Sequence, residues 1–183
     1  MTAAIREATA ADVPALVALA AVTFPLACPP AAGADDIAEF IRVNLGPDSF
    51  ATYIGDPQRI VLLAHAGDQL LGYSMLVALA PSDPQVAAAL TIMPSVELSK
   101  CYVHPDEHGA GLARRLMEAS VSRAAVDGAA GVWLGVNNEN ARALRFYEKS
   151  GFRRVGTKSF RLGSRLELDF VLERAVTFFD PSA

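Results

Sequence analysis

The 183-residue chain is poor in the groups that build redox, metal and nucleic-acid chemistry. It has two cysteines, Cys28 and Cys101, far apart and in different local settings. Neither a disulfide framework nor a thiolate metal cluster is expected, and both should be reduced thiols. His65 and His104 stand apart from any serine, aspartate or metal-ligating partner, so no metal centre is expected either. Positive charge is not in excess: 16 Lys and Arg face 20 Asp and Glu, a formal net charge of −4, with a pI near 5.3. That balance gives no general pull toward nucleic acid or an anionic membrane and favours cationic or neutral small partners. No apolar run reaches the roughly 18 residues of a membrane span, and "MTAAIREATAADVPAL" lacks the basic and apolar regions of a signal peptide. A cytoplasmic, soluble protein is the reading. Repeats, low-complexity tracts and linkers are missing too, so one domain is expected over residues 1–183.

What is present is ordinary globular composition, 52% hydrophobic and 20% charged, enough to bury a core. Residues 3–8 suggest an opening strand, and Thr9, Asp12 and Pro14 a helix start. "FPLACPPAAG" breaks that helix. A second, amphipathic helix over 34–45 carries Ile37, Phe40, Ile41 and Leu45 on one face and stops at Gly46-Pro47; a short helix follows. Two apolar runs joined by Ala66-Gly67-Asp68-Gln69 predict a hairpin between residues 59 and 79. The stretch 80–95 reads as a loop with at most one helical turn, and 96–103 as a strand. Helix 112–127, strand 131–136, a helix bracketed by Asn140 and Gly151, and strands over 151–160 and 164–176 complete the order. Antiparallel hairpins with one βαβ crossover make this an α+β chain with a mixed, mostly antiparallel sheet of six to seven strands and helices on both faces.

The segment "CYVHPDEHGAGLARRLMEA", residues 101–119, is the most informative. It is not a Walker loop, because Leu112-Ala113 follow Gly111 where Lys-Ser/Thr is needed. It is not a dinucleotide fingerprint, because Arg114 holds the third glycine position and no parallel unit lies upstream. Taken alone, Gly109 and Gly111 fit either a tight strand-to-helix turn or a cradle for an anion. Arg114 and Arg115 weigh toward the cradle, since a helix N-terminus disfavours cations unless an anion is bound there, by about 0.3–1 kcal/mol each.

At this point the residues resemble a family. His108-x-x-Gly111-x-Ala113 after "YVHP", with "ELSKCYV" ahead of it, resembles motif A, Q/R-x-x-G-x-G/A, of the GNAT superfamily of N-acetyltransferases. "VWLGVNNENARALRFYEKSGFRRVG" resembles that superfamily's next strand and helix, with Asn140, Ala143, Phe146-Tyr147 and Gly151-Phe152 in register. The likeness runs from Ile5 to about Val176, in element order more than in residues over the first third. His108 departs from the usual Gln or Arg. The resemblance implies acetyl-CoA as the donor and two neighbouring parallel strands, 96–103 and 131–136, that splay so the pantetheine arm pairs with exposed backbone. It then places cofactor contacts at Tyr102 and Val103 through the main chain, at His108, Gly109, Ala110, Gly111, Ala113 and Arg114 around the pyrophosphate, and at Asn140 on the arm.

Transfer to an amine sets a protonation problem, since a lysine-like amine with a pKa near 10.4 is almost wholly protonated at neutral pH. Strand alternation puts Glu97, Ser99, Cys101 and Val103 on one side, beside the cofactor-pairing backbone, which nominates Glu97 as the base, directly or through a water. The departing thiolate needs a proton, and Tyr147 matches the family tyrosine that supplies it. Cys101 as a nucleophile is disfavoured, because a mid-strand thiol is usually a small core residue. Trp133, Phe146 and Phe152 read as core and Lys149 as a solvated helix end.

The acceptor is expected between residues 24–50 and the loop 80–95, where Asp35, Asp36, Glu39, Asp48 and Asp83 give a mild acidic bias. "GTKSFRLGSRLELDFVLERAV", with Phe160, Gly163 and Asp169, is similar to members related to polyamine N-acetyltransferases and points to a polyamine or small amine. An acetyl-CoA sensor without transfer, a peptide-amine acetyltransferase and a plain interaction module are the alternatives, and a homodimer is left open.

Overall fold

A computed structural model describes residues 3–176. The strands are β1 (Ala4–Glu7), β2 (Arg59–Ala66), β3 (Gln69–Val77), β4 (Ser95–Val103), β5 (Gly131–Asn137), β6 (Arg153–Leu162) and β7 (Arg165–Ala175). The helices are α1 (Val13–Thr23), α2 (Ala34–Asn44), α3 (Pro47–Gly55), α4 (Pro84–Ala89), α5 (Leu112–Val126) and α6 (Ala141–Lys149). Seven strands form one sheet in the order β1-β2-β3-β4-β5-β7-β6, antiparallel except for β4 and β5. The α+β architecture expected from the sequence is what forms.

Local chemistry explains most element ends. Asp12 accepts from the Thr9 N–H at 2.8 Å and from both terminal nitrogens of Arg6, so the turn ahead of α1 is tied to β1. Asp83 caps α4 through the Gln85 N–H, with Pro84 at the first helical position. Gly151, at φ +84°, lets the chain leave α6 in the left-handed conformation. The stretch expected as loop between 80 and 95 therefore holds a six-residue helix.

Two layers of helices cover the sheet. On one face α1, α2 and α3 pack over Val61, Leu63, Tyr73 and Met75, with Phe50 and Leu16 fully buried. On the other, α5 and α6 pack over Leu98, Val132, Leu134 and Leu172. Each such side chain contributes about 1.5–3 kcal/mol by leaving water. The helical run Ala10–Ala27 has the length and apolar composition to cross a membrane, where the sequence reading counted no run of that length. Here it is a single-turn helix, α1 and a second single turn, and it packs Leu16, Leu19, Ala20 and Phe24 into the core.

Candidate active site

Strands β4 and β5 pair only over Ser95–Glu97 and Gly131–Trp133. Beyond Glu97 they part, which leaves one backbone edge of each unpaired. A cavity of about 730 Å³ occupies the gap and is lined by both strands, the 107–114 loop, α6, the segment 23–29 and residues of β6 and β7. The expected splay is thus a feature of the fold.

The strand alternation proposed for β4 does not hold. Met75 pairs with Lys100 but the next residue, Leu76, pairs with Leu98, so Ser99 is an extra residue bulged out of the ladder. A one-residue bulge exchanges the faces on its two sides. Glu97 therefore lies with Lys100 and Tyr102 toward α1 and α2, opposite Val77 and beside the cluster that includes Tyr73 and Met75. Cys101 and Val103 turn to the α5 side with Leu98. Cys101 is not beside Glu97, and burial pushes its thiol up to about 12, which keeps it protonated.

Tyr147 reaches the same cavity from the opposite side. It packs edge-on against Phe146 at 5.2 Å and Phe152 at 5.6 Å within the α5–α6 layer. Burial holds its phenol well above the ordinary value, so the O–H persists at neutral pH. Burial likewise raises the Glu97 carboxyl, opposed by the positive charges of Lys158, Lys100 and Arg59.

The glycine loop has the form of an anion cradle. Gly109 and Gly111 adopt φ of +86° and +79°, and nothing lies within 4 Å of where a Cβ would stand, so glycine is needed there for conformation. Gly111 is the residue before α5 and its carbonyl accepts from the Arg115 N–H at 3.1 Å. The N–H groups of Gly109, Gly111, Leu112, Ala113 and Arg114 have no acceptor among the described residues, and the first turn of α5 carries no acidic side chain. The two arginines separate: Arg115 donates to the Ala3 carbonyl at 2.6 Å, whereas Arg114 is exposed on the cavity rim without a protein partner among the described residues.

Two findings lie beyond the sequence reading. Arg142, at the start of α6, sits 3.0 Å through Nη1 from His108 Nδ1, so a guanidinium reaches the position where His108 replaces Gln or Arg. Asn140 uses its Oδ1 to cap α6 through the Ala143 N–H at 3.0 Å, so of its two polar atoms only Nδ2 stays free for a ligand. The acidic residues expected around the acceptor are misplaced: Asp35, Asp36, Glu39, Asp48 and Asp83 do not line the cavity, nor does the 80–95 loop, while Glu97 and Asp169 do. The α1–α2 side does line it, as expected, through Phe24, Cys28 and Phe40.

The split parallel pair with unpaired amides at a helix start is the arrangement that the resemblance to the GNAT superfamily of N-acetyltransferases implies. The Acetyltransferase (GNAT) family profile matches residues 31–152. The chain is 45% identical over 163 residues to an uncharacterized N-acetyltransferase of Mycobacterium tuberculosis, covering 89% of this chain and 97% of the relative. It is similar in fold to the PaiA N-acetyltransferase of Thermoplasma acidophilum in complex with coenzyme A, with TM-score 0.77 and 20% identity over 96% of this chain and 99% of that one. YncA of Salmonella typhimurium with its cofactor acetyl-CoA matches at TM-score 0.68 and 21% identity over 97% and 96% of the two chains. The chain belongs to the GNAT family and is an acetyl-CoA-dependent N-acetyltransferase.

Proposed function

We propose that the chain acetylates a small primary amine by direct transfer, with Glu97 as base and Tyr147 as acid. The observation that carries this is that the two side chains reach one cavity from opposite faces of the sheet, where β4 and β5 part. Bound acetyl-CoA supplies the activated acetyl group. The free N–H groups of Gly109 and residues 111–114, with the Arg114 side chain, hold its diphosphate, the guanidinium of Arg142 adds charge beside His108, and the open edge of β4 at Tyr102 and Val103 receives the pantetheine amides, while the Ala110 N–H is taken by the Glu107 carbonyl at 3.2 Å.

The amine enters from the α1–α2 side. Glu97 takes a proton from its ammonium, directly or through a water, and frees the lone pair. The amine nitrogen bonds to the acetyl carbon as the carbon–sulfur bond breaks, Tyr147, still protonated, gives its phenolic proton to the departing thiolate sulfur on the α6 side, and the second proton shed by the nitrogen restores the phenol. Base and acid thus work across the thickness of the sheet, and a covalent enzyme intermediate on Cys101 has no place in the scheme.

The test is release of free thiol from acetyl-CoA with a panel of small amines, followed by mass analysis of the products. Thiol release matched one-to-one by N-acetylated amine supports the reading. Tight acetyl-CoA binding without transfer to any amine would instead make the chain a sensor.

A further inference from the structure

The acceptor half of the cavity has a polar floor whose charges are unpaired. Glu97 and Lys100 share a face of β4 on either side of the Ser99 bulge. Lys158 and Asp169 stand directly opposite each other on β6 and β7. Gly135 on β5 leaves the space they fill: a Cβ there would overlap Lys158 Cε and stand 3.0 Å from its Nζ and 3.3 Å from Asp169 Oδ2. All four side chains line the cavity. None of the ion pairs among the described residues includes any of them.

Asp169 is the sharpest case. It is only 7% exposed, and its Oδ1 has no hydrogen-bond partner. Buried charges are normally paired, because losing water without gaining a partner is costly. Burial moves these groups as that cost predicts: the Asp169 carboxyl is pushed up to about 6, and the Lys100 ammonium down to about 8. Above the floor the walls are aromatic, with Phe24 stacked on Phe40 at 4.5 Å and Phe40 edge-on to Phe160 at 5.5 Å.

Two carboxylates and two ammonium groups make a floor of no net charge in which opposite signs lie side by side. A polyamine would bring each further ammonium next to Lys100 or Lys158, and like charges in an enclosed site repel. A molecule carrying both signs close together meets a partner for each.

We propose that the acceptor is a free amino acid with an apolar side chain, its amine received by Glu97 and Asp169 and its carboxylate by Lys100 and Lys158. The proposal rests on the α1–α2 half of the cavity being the acceptor site of an N-acetyltransferase. The carboxylate sets which amines enter, the aromatic wall takes the side chain, and binding supplies direct ionic partners to groups that form no ion pair with one another.

The experiment compares L-amino acids with their carboxamides, their decarboxylated amines and spermidine, by thiol release from acetyl-CoA. The expected result is a kcat/KM for the best amino acid at least about 30-fold above its own carboxamide and decarboxylated amine. Lys158→Met should reduce that ratio to within about threefold, while Lys158→Arg retains most of it. Carboxamides, decarboxylated amines or spermidine that equal the amino acids would overturn the proposal and leave acetyl transfer standing, as would a preference that survives both Lys158→Met and Lys100→Gln. If no amine is acetylated, the transferase reading fails separately, and binding decides the present one. Trp133, the only tryptophan, lies 5.9 Å from Lys158 Nζ and reports on the floor. A saturable change in its fluorescence with amino acids but not with carboxamides supports the proposal; equal or absent responses refute it.

Discussion

Replacing Tyr147 by phenylalanine removes one oxygen and nothing else, so its consequences can be worked out closely. The ring is held by its edge contacts to Phe146 and Phe152, centroids 5.2 and 5.6 Å away, and both survive the change. No protein hydrogen bond to the phenol is lost among the described residues, so stability should shift by less than about 1 kcal/mol. The rate is another matter. The departing thiolate loses its proton donor, and positioned acid catalysis is worth about 10²–10⁴-fold, equivalent to about 3–5 kcal/mol of barrier. The loss should fall on kcat. Acetyl-CoA affinity, set by the free N–H groups of Gly109 and residues 111–114, should stay within about threefold. Because burial holds the phenol well above its ordinary value, Tyr147 stays protonated through neutral pH and sets no alkaline limb there. Thiol-release kinetics, calorimetric titration with acetyl-CoA and a thermal melt together test this. A kcat within about fivefold of the parent, with melting and affinity unchanged, would remove Tyr147 from the chemistry.

The remaining predictions concern the base, the cradle and the frame. Glu97 must be ionised to act and burial raises its pKa, so kcat/KM should rise with pH through a value above that of an ordinary carboxylate. Glu97→Gln should abolish that limb and lower the rate at neutral pH by about 10²-fold or more, and an unchanged pH profile would exclude the assignment. Gly111→Ala meets no steric neighbour but must hold φ near +79°, a strain of about 1–2 kcal/mol. It should shift the first N–H groups of α5 and weaken acetyl-CoA binding about tenfold by calorimetry; unaltered affinity would argue against the cradle. Glu173, fully buried on β7, accepts from the Thr91 N–H at 2.9 Å, the Ile92 N–H at 3.3 Å and Arg153 Nη2 at 2.7 Å, anchoring the segment after α4. Glu173→Gln breaks this charge-assisted network and should cost about 2–4 kcal/mol, with a fall in Tm of roughly 5–15 °C. A melt shifted by less than about 2 °C would show that the network is dispensable.

What could be read in advance from the residues was whatever is local. The 3.6-residue spacing of Ile37, Phe40 and Ile41 fixed α2, Ala66-Gly67-Asp68-Gln69 marked the β2–β3 turn, and Asn140 with Gly151 bracketed α6. The two left-handed glycines before α5 announced themselves by spacing. What stayed hidden depends on partners distant in sequence. Nothing around Ser99 signals a bulge, because a bulge is a relation between β4 and β3; the assumption of unbroken alternation therefore put Glu97 on the wrong face. Arg142 reaches His108 across 34 residues, and Lys158 meets Asp169 only once β6 and β7 pair. The helix at Pro84 was the exception: Asp83-Pro84 is a start signal, but six residues carry too little periodicity to register.

The departures from ordinary folding chemistry in this chain gather at one place. Unpaired amides before α5, a parallel ladder abandoned after three residue pairs, a bulge, and four ionisable groups without ion-pair partners all border the same cavity. Each opposes stability, and together they would be improbable as accidents of packing, since strain and unmet polar groups persist where a ligand can satisfy them. Ser99 connects the set. Were Ser99 to take a place in the ladder, continuous alternation through Lys100 and Tyr102 would turn Glu97 toward α5, on the cofactor side, and leave the acceptor floor without its base. With Ser99 bulged out, Glu97 is brought beside Lys100 and faces the incoming amine, while Cys101 and Val103 still seal against α5. Deleting Ser99 should therefore leave Glu97 beside Lys100, because the pairs Met75–Lys100, Leu76–Leu98 and Val77–Glu97 would then follow one another without interruption.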